Sequence, residues 1–579
     1  MTSTSFRRSD LRASLWSFRR EFLMVGLFSA VANLLMLTPT VYMLQVYDRV
    51  LVSHNELTLA AISLICLFLL GVMGVCEWTR SRVLVRAGVR LDDQLGTKVF
   101  NASFRACLAG AGAGPARAFS DLLQLRQFIT GQGIFAFFDA PWAPFYIAVI
   151  FLLHPLLGAL AIVFAILQAG LAWFGHRRTV APAEAAGQAA SDLHLYLQGK
   201  LRNSEVLEAM GMVENLRHRW RERHRLFLAR NASAQAVSNR VMAWSKFIRY
   251  SQQSLALGAG ALLVIDGQLT VGGMLAGSVL MSRALAPIDL MVGSWRGFVG
   301  ARAAFARLEQ LLREFPDRAD LQSPAPPRGE LTLRNVTAQA SGRAAPILHN
   351  IDFSITPGTV VAILGPSGAG KSTLARVMVG IWPGVAGEVL LDGTPIDSWS
   401  RLALGPHLGY LPQDVELFDG TIAENIARFS AIDATKVIEA ARCAGLHDVI
   451  LRLPNGYDTV IGEAGGMLSG GLRQRIALAR AVYGYPALVV LDEPNANLDD
   501  AGETALARTV RQLKAKGKTV FLITHRPGLI GAADWVLLLN DGRLVASGPR
   551  AEVAATLGRR PPTTAAAQPS PSELARQPA

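Results

Sequence analysis

The sequence predicts a chain of two parts: an α-helical transmembrane domain of six helices, fused to an α/β domain of the P-loop kind. Three observations predict it. Long uncharged runs crowd the first half, at residues 22–47, 57–76 and 140–175. In the second half, Gly365-Pro366-Ser367-Gly368-Ala369-Gly370-Lys371-Ser372 is a complete G-x-x-x-x-G-K-S loop. Further on, the apolar run Ala487-Leu-Val-Val-Leu ends in the paired carboxylates Asp492 and Glu493.

The membrane half comes first. A span needs about 20 mostly apolar residues. Residues 22–47 and 57–76 supply one each, and 140–175 is long enough for two with a tight turn at His154-Pro155. Residues 250–265 and 269–282, the latter running on to about Ser294, supply spans five and six. The alternative is buried helices of a large soluble protein. So many uncharged runs within one half of a 579-residue chain favour lipid over a protein core. Overall only 17% of residues are charged and the mean hydropathy is +0.30, against about 25% charged for ordinary soluble domains.

The net charge is +13. Nucleic acid is excluded as the reason by where the charges fall. Arg7, Arg8, Arg12, Arg19 and Arg20 precede span one. Basic residues from Arg80 to Arg126 lie between spans two and three, and those from Arg177 to Arg225, Arg202 included, between spans four and five. The opposite loops are short (48–56, 154–155 and 266–268), and Arg49 is their one Lys or Arg. This is the positive-inside asymmetry, and it places both termini of a multi-pass protein in the cytoplasm. The first apolar run is too long for a cleavable signal and no small-residue cleavage site follows it, so residues 22–47 read as a retained anchor. Cys66, Cys76, Cys107 and Cys443 show no metal or disulfide spacing.

The expected organisation is a cytoplasmic segment 1–20, a membrane domain 21–312 with long cytoplasmic helical loops, a Pro-rich linker 313–329, an ATPase domain 330–558 and a disordered tail 559–579. Short helices within 81–133 and 176–245 are expected to join membrane helices that continue into the cytoplasm.

The strand Val360-Val-Ala-Ile-Leu364 feeds the P-loop, and Ser372-Thr373-Leu-Ala opens a helix after it, which is the context the motif requires. Glycines turn backbone N–H groups toward phosphates, and the helix N-terminus adds partial positive charge. Lys371 reaches the β- and γ-phosphates of ATP, and Ser372 ligates Mg²⁺. Asp492 fits a holder of the Mg²⁺ and Glu493 a base that polarises the attacking water. Gln413 brings an amide oxygen toward metal and water. Thr524-His525 ends another apolar strand and puts an imidazole near the γ-phosphate. Ser469, Gly470 and Gly471 precede a helix over 472–480 whose N-terminus suits phosphate in the same way.

These residues together resemble the ATPase of ABC transporters: Walker A at 365–372, Q-loop Gln413, signature 468–472, Walker B 487–492, D-loop 497–499 and switch His525. The resemblance implies a homodimer, because in that family the signature of one subunit completes the ATP site of the other. Two departures stand out. Leu472 occupies the fifth signature position, where the family has Gln, and no aromatic stands at 337–340 to stack on adenine.

Chain order and topology resemble ABC exporters. Finer stretches resemble the short PrtD-type permease/ATPase of type I protein secretion, which exports proteases, lipases or S-layer proteins. They are Tyr42-Met-Leu-Gln-Val-Tyr-Asp-Arg-Val50, Phe138-Asp-Ala-Pro-Trp-Ala-Pro144, His154-Pro155, Leu207-Glu-Ala-Met-Gly-Met212, Arg283-Ala-Leu-Ala-Pro-Ile288 and Asp492-Glu-Pro-Asn-Ala-Asn-Leu-Asp499. The short segment before span one leaves no room for a peptidase domain. The cargo implied is an unfolded polypeptide with an uncleaved C-terminal signal. The short outer loops imply a periplasmic membrane fusion protein and an outer-membrane channel as partners. An exporter of lipids or small amphipathic molecules is the alternative, and a non-transporting ATP-dependent regulator a third. Arg283 and Asp289, as charges in or near span six, are expected to face a cavity, with Arg283 either on the substrate path or at the cytoplasmic end of the span, where it reaches water.

Overall fold

The computed structural model describes residues 10–110, 114–201, 203–316, 325–340, 345–462 and 468–558. Arg7, Arg8, Arg202, part of the linker and the tail 559–579 lie outside them. The chain forms two compact units that divide in sequence between residues 317 and 318.

The first unit is helical throughout. After a short helix Asp10–Ser17, its main helices run α1 (Arg19–Leu35), α2 (Thr38–Gln45), α3 (Glu56–Leu108), α4 (Gly114–Thr130), α5 (Gln132–Asp139), α6 (Ala143–Leu153), α7 (Pro155–Leu201), α8 (Ser204–Ala209), α9 (Val213–Ile265) and α10 (Val271–Glu314). Among the described residues, five helical runs are long and apolar enough to cross a membrane: Arg19–Ser53, Glu56–Leu108, Gly133–Leu153, Pro155–Leu201 and Val271–Glu314. Their apolar side chains point outward. Leu64 is 72% exposed, Phe68 70% and Leu152 86%, which no water-facing helix would tolerate in such density. The expected fifth span is the exception. It is the C-terminal end of the 53-residue α9, where only 16 residues, 250–265, follow Arg249 without a charge.

The predicted outer loop 48–56 is mostly helix instead. A π-helical turn (Val46–Val50) and a short turn (Leu51–Ser53) carry the chain to His54, which reverses it in the left-handed region at φ 50°. The turn at His154 is as expected: extended backbone between the end of α6 and Pro155, the first residue of α7. The short α8 joins two long helices, so the cytoplasmic stretch 176–245 is helix extension plus one small connector. Arg82 lies over Trp78 and Arg177 over Trp173, at 5.1 and 4.3 Å, where two of the apolar runs end.

The first basic residue after span two is drawn into the helix bundle. Arg80 is half-buried and pairs with Asp139 at 3.1 Å and Glu77 at 3.8 Å, and it also donates to Ser29 Oγ at 3.0 Å. Asn33 Nδ2 donates to the same Asp139 carboxylate at 2.7 Å, and the Tyr146 hydroxyl donates to the Asn33 carbonyl at 2.7 Å. One carboxylate thus ties three segments, and Asn33 links a fourth, at the Phe138-Asp-Ala-Pro-Trp stretch where the helix tightens to a 3-10 turn over Ala140–Trp142. Asp139→Ala removes the closer of the two carboxylates that face Arg80, leaving Glu77 at 3.8 Å, and losing a charged hydrogen-bond partner at a half-buried site costs about 1–3 kcal/mol. Purified protein is expected to unfold at markedly lower temperature, with Asp139→Asn milder because its amide oxygen still accepts a hydrogen bond. Wild-type melting of Asp139→Ala would show the network to be ornamental.

The second unit is α/β. A six-stranded sheet runs β10-β9-β3-β8-β7-β6, with β3 (Val360–Leu364), β6 (Leu408–Leu411), β7 (Leu488–Asp492), β8 (Thr519–Ile523) and β9 (Trp535–Asn540) parallel and β10 (Arg543–Pro549) antiparallel at the edge. A second, antiparallel sheet has β1 (Leu331–Ala338) between β2 (Leu348–Ile355) and β4 (Val385–Leu391), with β5 (Thr394–Pro395) outside β4. The central strands read as continuous apolar runs because both faces are covered. Val360 and Ala362 point into one core with Val489, Leu491, Val520 and Leu522. Val361 and Ile363 point into the other with Leu488, Val490, Phe521 and Ile523.

Candidate nucleotide site

Strand register assembles the site. Ile523 of β8 lies opposite both Ile363 of β3 and Asp492 of β7, and Leu411 of β6 lies opposite Leu491. Four parallel strands therefore stop level with one another. Each strand end delivers a group that the sequence singles out: the P-loop after β3, Gln413 after β6, Glu493 after β7 and His525 after β8. The carboxyl edge of a parallel sheet is where such folds bind ligands.

The P-loop bends through glycines that nothing else could replace. Gly365 sits at φ 153°, and a Cβ there would stand 2.2 Å from the Leu539 carbonyl oxygen. Gly370 sits at φ 95° and caps α11 (Lys371–Met378), whose first turn holds Ser372 and Thr373. Lys371 is buried, and its ammonium donates to the carbonyls of Gly365 and Pro366, each at 2.8 Å. Ser367, Gly368 and Ala369 complete the loop, with Gly368 at φ 82°.

Asp492 is 2% exposed, and its Oδ1 has no hydrogen-bond partner among the described residues. Burial pushes its carboxyl above the usual carboxylate range, and the Glu493 charge adds to this; the Ser372 hydroxyl, Arg376 and Lys371 pull the other way. An orphaned carboxylate oxygen beside a hydroxyl and within a loop built for phosphates fits a hard divalent cation, which takes oxygen donors of this kind. Glu493 is held in the left-handed region at φ 46°, strain that an ordinary strand end does not carry. Its N–H donates to the Ile523 carbonyl at 3.0 Å, and its Oε2 accepts from Gln413 Nε2 at 3.2 Å. His525 is exposed beyond β8. Thr524 before it is buried and donates to Asn495 Oδ1 at 3.1 Å.

The signature stands apart from this cluster. Ser469 caps α12 (Gly470–Val482), accepting from the Leu472 N–H at 3.3 Å; the helix is longer at both ends than the predicted 472–480. A Cβ on Gly471 would stand 2.9 Å from the Asn497 carbonyl, so the missing side chain lets the D-loop lie against the signature. Arg475 pairs with Asp499, which caps α13 (Asp500–Ala515). No hydrogen bond or ion pair among the described residues joins Ser469, Gly470 or Gly471 to the P-loop. Leu472 packs against the apolar core.

Three contributors escaped the sequence reading. Gln474 is buried and reaches the Glu493 carbonyl at 3.5 Å. Arg376 acts on Asp492 from the next turn of α11. Trp382 brings an indole to the aromatic-free segment 337–340, donating to the Gln339 carbonyl at 3.1 Å. Only Arg376 had a signal, its i+4 spacing from Ser372.

Two family descriptions match the chain: the ABC transporter transmembrane region over residues 22–287, and the ABC transporter over 348–496. The sequence is 44% identical over 557 residues to the "Type I secretion system ATP-binding protein PrsD" of Rhizobium meliloti (strain 1021), covering 96% of this chain and 95% of that one. This chain belongs to the ABC transporters, in their type I secretion branch. The "Alpha-hemolysin translocation ATP-binding protein HlyB" of Escherichia coli is 28% identical over 551 residues, 93% of this transporter and 76% of HlyB. A bacterial Atm1-family ABC exporter solved with ATP bound superposes with a TM-score of 0.78 at 23% identity, over 95% of this chain and 99% of that one, which shows the fold. The transporter is therefore a multi-pass membrane protein that binds ATP and couples its hydrolysis to transport.

Proposed function

We propose that this ABC transporter exports unfolded polypeptides bearing an uncleaved C-terminal signal, as a homodimer in the bacterial inner membrane with its ATPase domains in the cytoplasm. A periplasmic fusion protein and an outer-membrane channel complete the route. The observation that carries the reading is similarity along essentially the whole chain to a type I secretion ATP-binding protein, at 44% identity.

In this reading the P-loop amides, Lys371, Ser372 and Thr373 grip the phosphates of ATP. Ser372, Gln413 and Asp492 hold Mg²⁺, which when bound neutralises charge on the β- and γ-phosphates. Glu493 takes up proton density from the attacking water, with Gln413 orienting its carboxylate. His525 supports the γ-phosphate. Ser469, Gly470 and Gly471 serve the partner's nucleotide, which accords with their separation from the P-loop of their own chain. Phosphoryl transfer is then mostly positioning and charge stabilisation.

The test uses purified full-length protein in lipid nanodiscs. The C-terminal peptide of a candidate cargo is expected to change the ATPase rate, and a scrambled peptide is not. Stimulation by added lipids or small amphipaths with indifference to every peptide would replace this reading with the lipid-exporter one.

A further inference from the structure

The membrane unit contains a cavity of about 880 Å³ walled by α9, α10 and Gly133. The wall that α10 contributes recurs at helical spacing: Ser278, Ser282, Arg283, Ala286, Asp289 and Gly293. From α9 come Arg249, Tyr250 and Gln253. The cavity mixes polar and apolar lining, Val279 and Leu290 included, and is more polar than a second one of about 320 Å³ around Trp173, His176, Ile288, Met291 and Trp295.

Its charges are not equally satisfied. Asp289 accepts from Ser245 Oγ at 2.6 Å and from the Gln168 side chain, and Arg249 stands 3.7 Å away as its counter-ion. Arg283 has no carboxylate partner among the described residues. Its guanidinium is exposed and meets the Met36 sulfur at 3.5 Å, a weak acceptor. Arg283 is twelve residues into α10, about 18 Å along a helix. In a hydrocarbon core about 30 Å thick that is mid-depth, beyond the reach of lipid headgroups. A lone guanidinium there is costly unless it opens on a polar cavity, and such a residue marks a path for charged cargo. An acyl chain leaves the Arg283 guanidinium unpaired, and a cationic segment is repelled by it. A carboxylate arriving on a passenger chain supplies the missing partner.

We infer that the cavity favours acidic stretches of the translocating polypeptide, with Arg283 as the residue that meets their carboxylates. The inference rests on the reading that the passenger is a polypeptide, and it adds a rule of charge.

The experiment measures ATPase stimulation of the full-length transporter in phosphatidylcholine nanodiscs by two unstructured peptides of equal length, one Gly/Ser/Asp and one Gly/Ser/Asn. The Asp peptide is expected to act at about a tenfold lower half-maximal concentration. Arg283→Glu is expected to erase or reverse that preference, Arg283→Gln to erase it, and Arg283→Lys to keep most of it, each read as the ratio of the two peptides on the same variant. The Gln and Lys variants keep the test alive if the charge reversal fails to fold. Equal response of the wild type to both peptides, or an Asp preference surviving in Arg283→Gln, overturns the charge rule and leaves polypeptide export standing. Indifference to both peptides with a response to phosphatidylglycerol overturns both readings.

Discussion

Replacing Glu493 with Gln is expected to lower steady-state ATP turnover by at least about a hundredfold and to leave ATP binding intact. The exchange is nearly isosteric, so it isolates one property, the ability to take up a proton. A positioned general base contributes about 10²–10⁴-fold. The structure offers no substitute on the same side of the edge. Asp492 is buried, its carboxyl is pushed upward in pKa, and it faces Ser372 and Lys371. His525 is exposed at the end of the neighbouring strand and shares no hydrogen bond with Gln413, whereas Glu493 does. The unusual φ of 46° serves Gln as well as Glu, so the substitution adds no strain. Phosphate release and the affinity of a fluorescent ATP analogue, measured on one preparation, separate the two effects. Hydrolysis at the full rate would remove Glu493 from the role of base. On the proposed homodimer, the same variant saturated with ATP is expected to stay a closed dimer in light scattering, because nucleotide held between the subunits would no longer be consumed.

Legibility in the sequence obeys a physical pattern. The P-loop, Asp492, Glu493, Gln413 and His525 could be read because each sits at the end of a strand whose apolar run announces it, and parallel register brings those ends level. The spans could be read because lipid selects for composition, which needs no knowledge of neighbours. The fifth was harder. Its uncharged run of 16 residues is shorter than a full span, and it is carried on a helix whose other end is strongly basic. Pairings between distant segments were not legible. Asp139 meets Arg80 and Asn33, which lie 59 and 106 positions away, and no local periodicity encodes that meeting. The position of Arg80 after an apolar run says which side of the span it is on and nothing about its partner. Only the packed bundle shows that it has turned inward. Gln474 and Trp382 belong to the same class, since each acts on a loop that a different strand delivers.

Arg428 gives the clearest test of how the ATPase unit is held together. It is expected that Arg428→Ala destabilises that unit by about 3–5 kcal/mol or more, enough to lower its melting temperature by about 10 °C. Nothing in the sequence marks the residue. It occupies the left-handed region at φ 59°, just after the short helix Ile422–Ile426, and sends its guanidinium into the protein. Nε donates to the Arg480 carbonyl at 2.9 Å and Nη2 to the Ala481 carbonyl at 2.9 Å. Nη1 donates to the carbonyls of Gly405 and Leu408, at 2.7 and 3.0 Å. Arg480 and Ala481 belong to the last turn of α12, whose carbonyls have no partner within the helix and where a cation is favoured. Gly405 and Leu408 lie at the entry to β6. One side chain thus fastens the C-terminal end of the signature helix to the strand that carries Gln413. Burial draws the Arg428 pKa down to about 10, so the group still carries its charge at neutral pH. Lysine cannot stand in for it, because three donors on one nitrogen do not match four carbonyls spread over two segments. Arg428→Lys is therefore expected to lose most of what Arg428→Ala loses. Melting of the full-length transporter with and without ATP, followed by limited proteolysis to locate the opened segment, checks the prediction. Variants that melt with the wild type and resist protease equally would show that water satisfies those carbonyls without the arginine.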